Sequence, residues 1–248
     1  MTLINNNISN LTYLFIISLL LSCSSGQEKK LPQEPISCDI LISNGTIYDG
    51  SGSKPYVGSM AIKEDKIIYV GESTDFQADT VIDATGLAVS PGFINMLSWG
   101  YNSLMDDGRA LSDLKQGVTL EIFGEGTSPG PYWKDGKFTS FGEAMTMLEE
   151  KGVSVNIASF LGAATTRILE VGYKNRQATP SEMERMRGHV ENSMKEGAMG
   201  IGSSLIYAPS DYASTEELTE LSKVASEYGG MYISHLRSEG TNLLEALE

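Results

Sequence analysis

From Pro91 onward the chain alternates short apolar runs with amphipathic stretches, and that alternation narrows the available folds more than any other feature. Candidate strands fall at 93–97, 118–123, 153–160, 199–203 and 231–234. The stretches between them carry helix signals. SFGEAMTMLEEKG opens on Ser140 with Glu143 three residues on and closes at Gly152. TPSEMERMRGHVENSMKEG has Pro180 near its start, and STEELTELSKVASEYGG opens with Ser214 and Glu217 in the spacing of a capping box. Strands alternating with helices argue for parallel βαβ units, and repeated units argue for a (β/α)8 barrel or a doubly wound sheet. Only about five units fit before residue 248, whereas a closed eight-stranded barrel takes roughly 250 residues by itself. The expectation is an α/β fold: an incomplete (β/α)8 TIM-type barrel of about five βα units over 91–248, truncated within the amphipathic NLLEALE.

Residues 38–90 have a different rhythm, of short strands and tight turns. CDILISNGTIYDGSG alternates Ile40 and Ile42, with Asn44-Gly45 as the expected hairpin turn and a return through Ile47. SMAIKEDKIIYVG repeats the device around Glu64-Asp65, and DTVIDATGLAVSPG gives two brief strands separated by Thr85-Gly86. This reads as part of a small β-sandwich. Cys38 has no Cys or His close by in sequence, and is expected to pack as a small apolar residue at the start of the first strand.

The first 23 residues are set apart from the fold. LTYLFIISLLLSCSSG carries an apolar run too short for a bilayer-spanning helix, which takes about 20 residues, but suited to a signal-peptide core. Leu20-Leu21-Ser22-Cys23 resembles a bacterial lipobox, in which the cysteine is lipidated and becomes the mature N-terminus. No Lys or Arg precedes the run, a departure from the usual export signal. The reading is a lipoprotein-type signal over 1–23, a polar tether over 24–37, and attachment through Cys23 to the membrane of a bacterial cell envelope. A formal net charge of −14 repels polyanions, so nucleic acid is not an expected partner.

ILISNGTIYDGSG, VIDATGLAVSPGFI, LKQGVTLEIFGEG, GAMGIGSSLIYAPSDYASTEEL and YISHLRSEG, in that order, resemble successive motifs of the amidohydrolase superfamily, in its N-acyl-D-amino-acid deacylase branch. The resemblance runs from about residue 39 to the end. It implies a metal-dependent hydrolase of a C–N amide bond on a barrel, acting on a small-molecule amide. It also implies a general-base aspartate and a further metal-binding histidine beyond residue 248.

Against that pattern the departures matter. The family has Asp-x-His-x-His after PGFI, both histidines being ligands, and here Asn95-Met96-Leu97-Ser98-Trp99 stands there. Leucine has no lone pair to offer and an indole N–H only donates, so Leu97 and Trp99 cannot hold zinc. Gly124-Glu125-Gly126 replaces a turn that carries a cysteine ligand in the family, and Ala163 replaces a frequent histidine, while Arg167 is kept. His235, in ISHLRSEG, keeps the position of a zinc-binding histidine, its alternative being a structural role. The flanking glycines would let Glu125 turn inward as a second ligand, its alternative being a hydrogen-bonded loop acid. The resemblance thus implies one zinc rather than a pair, although mixed oxygen and nitrogen ligation also suits manganese or iron.

Four further residues complete the reading. Glu121, four before Glu125 on the same strand face, would be a buried supporting carboxylate in need of a partner. Tyr207 could donate its phenol to a substrate carboxylate or carbonyl, or simply pack. Arg237 could bind the carboxylate of an acyl amino acid, or form a salt bridge at a helix start. His189, mid-helix among charged residues, is expected to be exposed. The glycines of GAMGIGSS lack the Gly-Lys-Ser/Thr ending of a phosphate loop and are expected to permit close strand packing. Two other classes stay open: a barrel that binds acylated amino acids or peptides without cleaving them, and an inactive fragment.

Overall fold

The five apolar runs after Pro91 all become strands, and all run parallel. A computed structural model describes residues 35–72 and 75–247, so the signal segment, Cys23 and nearly all of the tether lie outside the described residues. The chain divides into two compact units, with the division between Ser90 and Pro91.

In the first unit the long strand β1 (Ile36–Ile47) is central. On one side it pairs antiparallel with β2 (Tyr56–Lys63), which pairs antiparallel with β3 (Lys66–Gly71). Its other edge is shared by β4 (Phe76–Asp83) and β5 (Ala88–Val89), both parallel to it. Cys38, Leu41 and Ala61 are buried together, with Tyr69 and Phe76 packed against them. The expected hairpin at Asn44-Gly45 is not there. Asn44 does take a positive φ of 61°, but as part of a bulge within a continuous strand: Ile42 faces Met60 while Gly45 faces Gly58. The Asn44 amide donates to Asp83 on β4 at 3.1 Å, so the left-handed residue is held by a neighbouring strand instead of reversing the chain. The Glu64-Asp65 turn joins β2 to β3 as its pattern implies.

The second unit begins with β6 (Phe93–Asn95), then α1 (Tyr101–Asp106), α2 (Leu111–Lys115) and β7 (Val118–Phe123). A hairpin of β8 (Tyr132–Lys134) and β9 (Lys137–Thr139) follows, turning at Asp135 and Gly136, both at positive φ. Then come α3 (Phe141–Lys151), β10 (Asn156–Ser159), β11 (Leu161–Gly162), α4 (Ala163–Glu170) and α5 (Pro180–Lys195). The order ends with β12 (Gly200–Ser204), α6 (Thr215–Glu227), β13 (Met231–His235) and α7 (Leu243–Leu247).

The strand expected over 153–160 is split by Phe160, because its two halves serve different neighbours. β10 pairs with β7, which pairs with β6, whereas β11 pairs with β12, which pairs with β13. Two hydrogen bonds bridge the break: Phe160 N–H donates to the Phe123 carbonyl at 2.9 Å, and Met199 N–H to the Ser159 carbonyl at 3.0 Å. The expected close packing at GAMGIGSS is found at Gly202, where a Cβ would meet the Gly124 carbonyl oxygen at 2.1 Å.

The helices lie on the sheet by their apolar faces, with Leu161, Met186, Val190, Ile201 and Leu221 fully buried among α4, α5, α6 and the strands. Each such side chain contributes about 1.5–3 kcal/mol. Ser140 with Glu143 and Thr179 with Glu182 form complete capping boxes at the starts of α3 and α5. The expected box at Ser214 is only half formed. Glu217 N–H donates to the Ser214 hydroxyl, but the Glu217 carboxylate is taken by Arg167 at 2.6 Å. Both members of that pair are buried, and the guanidinium also donates to the carbonyls of Lys174 and Arg176. Burial pushes the Glu217 carboxyl up and Arg167 pulls it back.

His189 is not exposed as expected. Its side chain is 19% accessible, its Nε2 lies 2.8 Å from Glu170, and its ring stacks on Phe138. The cause is that α5 turns this position toward α4 and the β8–β9 hairpin rather than toward solvent.

Breaking a buried pair by removing one partner costs about 3–5 kcal/mol, whereas an apolar replacement of both is often neutral. Arg167→Met is therefore expected to lower unfolding free energy by about that amount in urea titrations, with Arg167→Met/Glu217→Leu recovering most of it. Burial tends to raise the Glu170 carboxyl, but hydrogen bonds from Arg185 and His189 outweigh it and hold the group below its ordinary value. A carboxylate held low in the fold stabilises it above the unfolded-chain value and loses that contribution as pH falls through the folded value. Glu170→Gln should therefore show a shallower drop in Tm than the parent between about pH 5 and pH 3.

Candidate active site

Parallel strands present their C-terminal ends to one side, and the chemistry-bearing residues collect there. β7 ends at Phe123 and breaks into Gly124-Glu125-Gly126, with both glycines at positive φ, 97° and 91°. These angles carry the chain through a turn that a β-carbon would obstruct, and leave Glu125 half-buried between them. β13 ends at His235, paired in register with Ser204 on β12, and the His235 carbonyl accepts from Leu205 N–H at 2.9 Å.

Glu125 and His235, from strands at different places in the sheet, come within electrostatic range of one another. Burial raises the Glu125 carboxyl, His235 lowers it, and Glu239 raises it again. Glu239 Oε1 stands 3.7 Å from His235 Nδ1, beyond hydrogen-bond distance. Tyr207 lays its ring against the imidazole, centroids 5.5 Å apart and tilted by 37°. Arg237 is turned away to the 210–213 segment, where its guanidinium donates to the carbonyls of Asp211 and Ala213. A substrate carboxylate would have to share it with those oxygens.

The segment after β6 is arranged around Glu121. Ser98 donates its hydroxyl to the buried Glu121 carboxylate at 2.5 Å and accepts from Gly100 N–H at 3.2 Å, while Ser98 N–H donates to the Ile122 carbonyl. This supplies the partner that a buried carboxylate requires. Leu97 and Trp99 on either side are 46% and 58% exposed. The Trp99 ring lies 3.5 Å from where a Cβ on Gly126 would be, so it borders the Glu125 loop. A cavity of about 490 Å³ opens beside it, lined by α1, β8 and the segment after Gly126.

Glu125 and His235 offer a carboxylate oxygen and an imidazole nitrogen, donor types that zinc accepts. They fit as part of a metal site. Among the described residues no group of three or more His, Cys, Asp or Glu is arranged to hold an ion, so the two do not complete one. Sequence reasoning missed Ser98, whose partner is 23 residues away, and Glu239, for which the four-residue spacing from His235 is the only signal.

No protein-family model matches the chain. The D-aminoacylase of Alcaligenes xylosoxydans xylosoxydans is 31% identical over 225 residues, covering 85% of this chain and 46% of that protein. A D-aminoacylase solved for its binuclear metal centre, with one-metal activation and second-metal attenuation, superposes with a TM-score of 0.79 at 28% identity, covering 85% of this chain and 48% of that one. The N-acyl-D-glutamate deacylase of Bordetella bronchiseptica, solved with zinc and a phosphonate inhibitor, shares the fold with a TM-score of 0.77 at 24% identity, over 85% and 48% of the two chains. The chain thus spans about half the length of these relatives. Sequence and fold together make it a homologue, over 85% of its length, of the D-aminoacylases and N-acyl-D-amino-acid deacylases of the amidohydrolase superfamily.

Proposed function

We propose that the chain forms the N-terminal part of a metal-dependent hydrolase that cleaves the C–N bond of an N-acylated amino acid or a related amide. The observation that carries this reading is the convergence of Glu125 and His235 at the C-terminal ends of β7 and β13. The five parallel strands are read as the first portion of a (β/α)8 barrel. With Leu97 and Trp99 unable to donate, the reading is a single ion, zinc by preference, with Glu125 and His235 as two of its ligands and the others outside the described residues. A bound divalent ion polarises an amide carbonyl and lowers the pKa of a coordinated water.

The chain's own groups then have distinct tasks. Ser98 and Glu121 fix the turn after β6, so that this wall of the site keeps its shape. Tyr207, packed on His235 with its ring 58% exposed, has a phenol free to donate to a substrate carboxylate or carbonyl. Arg237 ties the end of β13 to the 210–213 segment through its two carbonyl contacts.

Loss of a direct ligand should weaken zinc at least as much as outer-shell changes do at their upper end, about 100-fold. Glu125→Ala is expected to show that loss by metal analysis, together with loss of amidase activity on N-acetyl amino acids. Unchanged metal content and activity would sink the reading. In the unsubstituted protein, ligand binding with neither metal nor turnover would instead mark a barrel that binds acylated amino acids without cleaving them, a class that Leu97 and Trp99 favour.

We further propose that the chain is anchored to a bacterial envelope through Cys23, a reading supported by the LLSC pattern alone. Labelled palmitate should be incorporated in cells and lost in Cys23→Ser. Incorporation unaffected by that substitution would exclude the anchor.

A further inference from the structure

The cavity beside Trp99 has a composition unlike that of the Glu125–His235 site it adjoins. Four aromatic rings and two thioethers, Trp99, Tyr101, Phe123, Tyr132, Met105 and Met147, make up half of its lining, beside the small polar side chains of Ser98, Asn102, Thr127 and Ser128. Tyr132 points its hydroxyl at the Met147 sulfur at 3.9 Å. Burial raises the Tyr101 phenol, and the neighbouring Tyr132 adds to the effect. The exposed Lys134 is the single charged side chain among the described residues that line it, on a chain of net charge −14. Planar rings and thioethers make favourable offset and sulfur contacts with another ring. A volume of about 490 Å³ lies within the range of small-molecule pockets and exceeds what a methyl or a short acidic side chain would fill. Continuity with the metal-type donors comes through Trp99, whose ring borders Gly126 next to Glu125.

We propose that this cavity is the subsite for an aromatic side chain of the amide substrate, with Lys134 meeting the substrate's carboxylate. The assignment rests on the amidohydrolase reading above and deepens it. Trp99 is then a specificity-determining residue: a position unable to hold a metal has become a stacking surface.

The chain has two tryptophans, so Trp133→Phe leaves Trp99 as its only tryptophan, read by selective tryptophan excitation above the tyrosine band. In that background, with the full chain and zinc present, N-acetylphenylalanine, N-acetylaspartate and N-acetylglycine are titrated separately. Burying one ring should make N-acetylphenylalanine bind at least about tenfold tighter than N-acetylglycine. Met147→Phe, a substitution on the half-exposed face of α3 that fills the cavity, should erase that preference and leave N-acetylglycine binding in place. Lys134→Met should weaken all three probes alike. Equal binding of the three, no binding of any, or a preference untouched by Met147→Phe overturns the subsite. Because binding is read without turnover, a chain that prefers aromatic amides but never hydrolyses them retires the hydrolase reading and keeps the subsite. Hydrolysis without aromatic preference does the reverse.

Discussion

Everything in the second unit depends on how the chain passes Phe160. The C=O and N–H of the 159–160 peptide point to opposite edges, one toward β12 and the other toward β7, so the chain here joins the β10–β7 ladder to the β11–β12 ladder. The two hydrogen bonds across the break, from Phe160 to the Phe123 carbonyl and from Met199 to the Ser159 carbonyl, let one strand close both ladders. Backbone at that point approaches backbone so closely that Gly124 has no room for a β-carbon: one there would meet the Phe160 carbonyl at 2.0 Å. That crowding sets where β7 must end and how the next residues leave the sheet. Glu125 is aimed by it, and His235 by the β12–β13 register that continues the same ladder.

The functional groups are therefore held by backbone constraints rather than by contacts with one another. His235 lowers the Glu125 carboxyl that burial raises, and Glu239 opposes the effect of His235. The turn after β6 is built differently. Its polar interior is satisfied by the Ser98 hydroxyl and the Glu121 carboxylate, so Leu97 and Trp99 are free to face outward and present apolar surface. The Glu125 loop and the cavity thus adjoin one another across the Trp99 ring.

Much of the fold was legible in the sequence, for identifiable reasons. Apolar runs between helix signals located all five parallel strands, and the Ser140 cap and the proline at the first helical position, Pro180, marked helix starts because their chemistry is local. Where reading failed, a distant residue decided the outcome. Asn44-Gly45 carries a hairpin signal, but Asp83 on another strand accepts the Asn44 amide and the chain runs on. Glu217 has the spacing of a cap, but Arg167, 50 residues earlier, takes its carboxylate. His189 has charged neighbours in sequence, but Glu170 and Phe138 enclose it in space. At the candidate site, His235 and Glu125 were singled out by motif position, whereas Ser98 carried no signal, since its meaning lies in a carboxylate on the next strand.

The Arg167–Glu217 pair has a consequence for how the chain is made. Arg167 leaves the ribosome well before its countercharge, and the carbonyls of Lys174 and Arg176 satisfy only part of its hydrogen-bonding capacity. Until residue 217 has emerged, burying that guanidinium would strand an unpaired charge away from water. The nascent chain is thereby discouraged from closing its core over α4 prematurely. Burial of Arg167 is thus compensated only once α6 supplies Glu217, which lies 50 residues further along the chain.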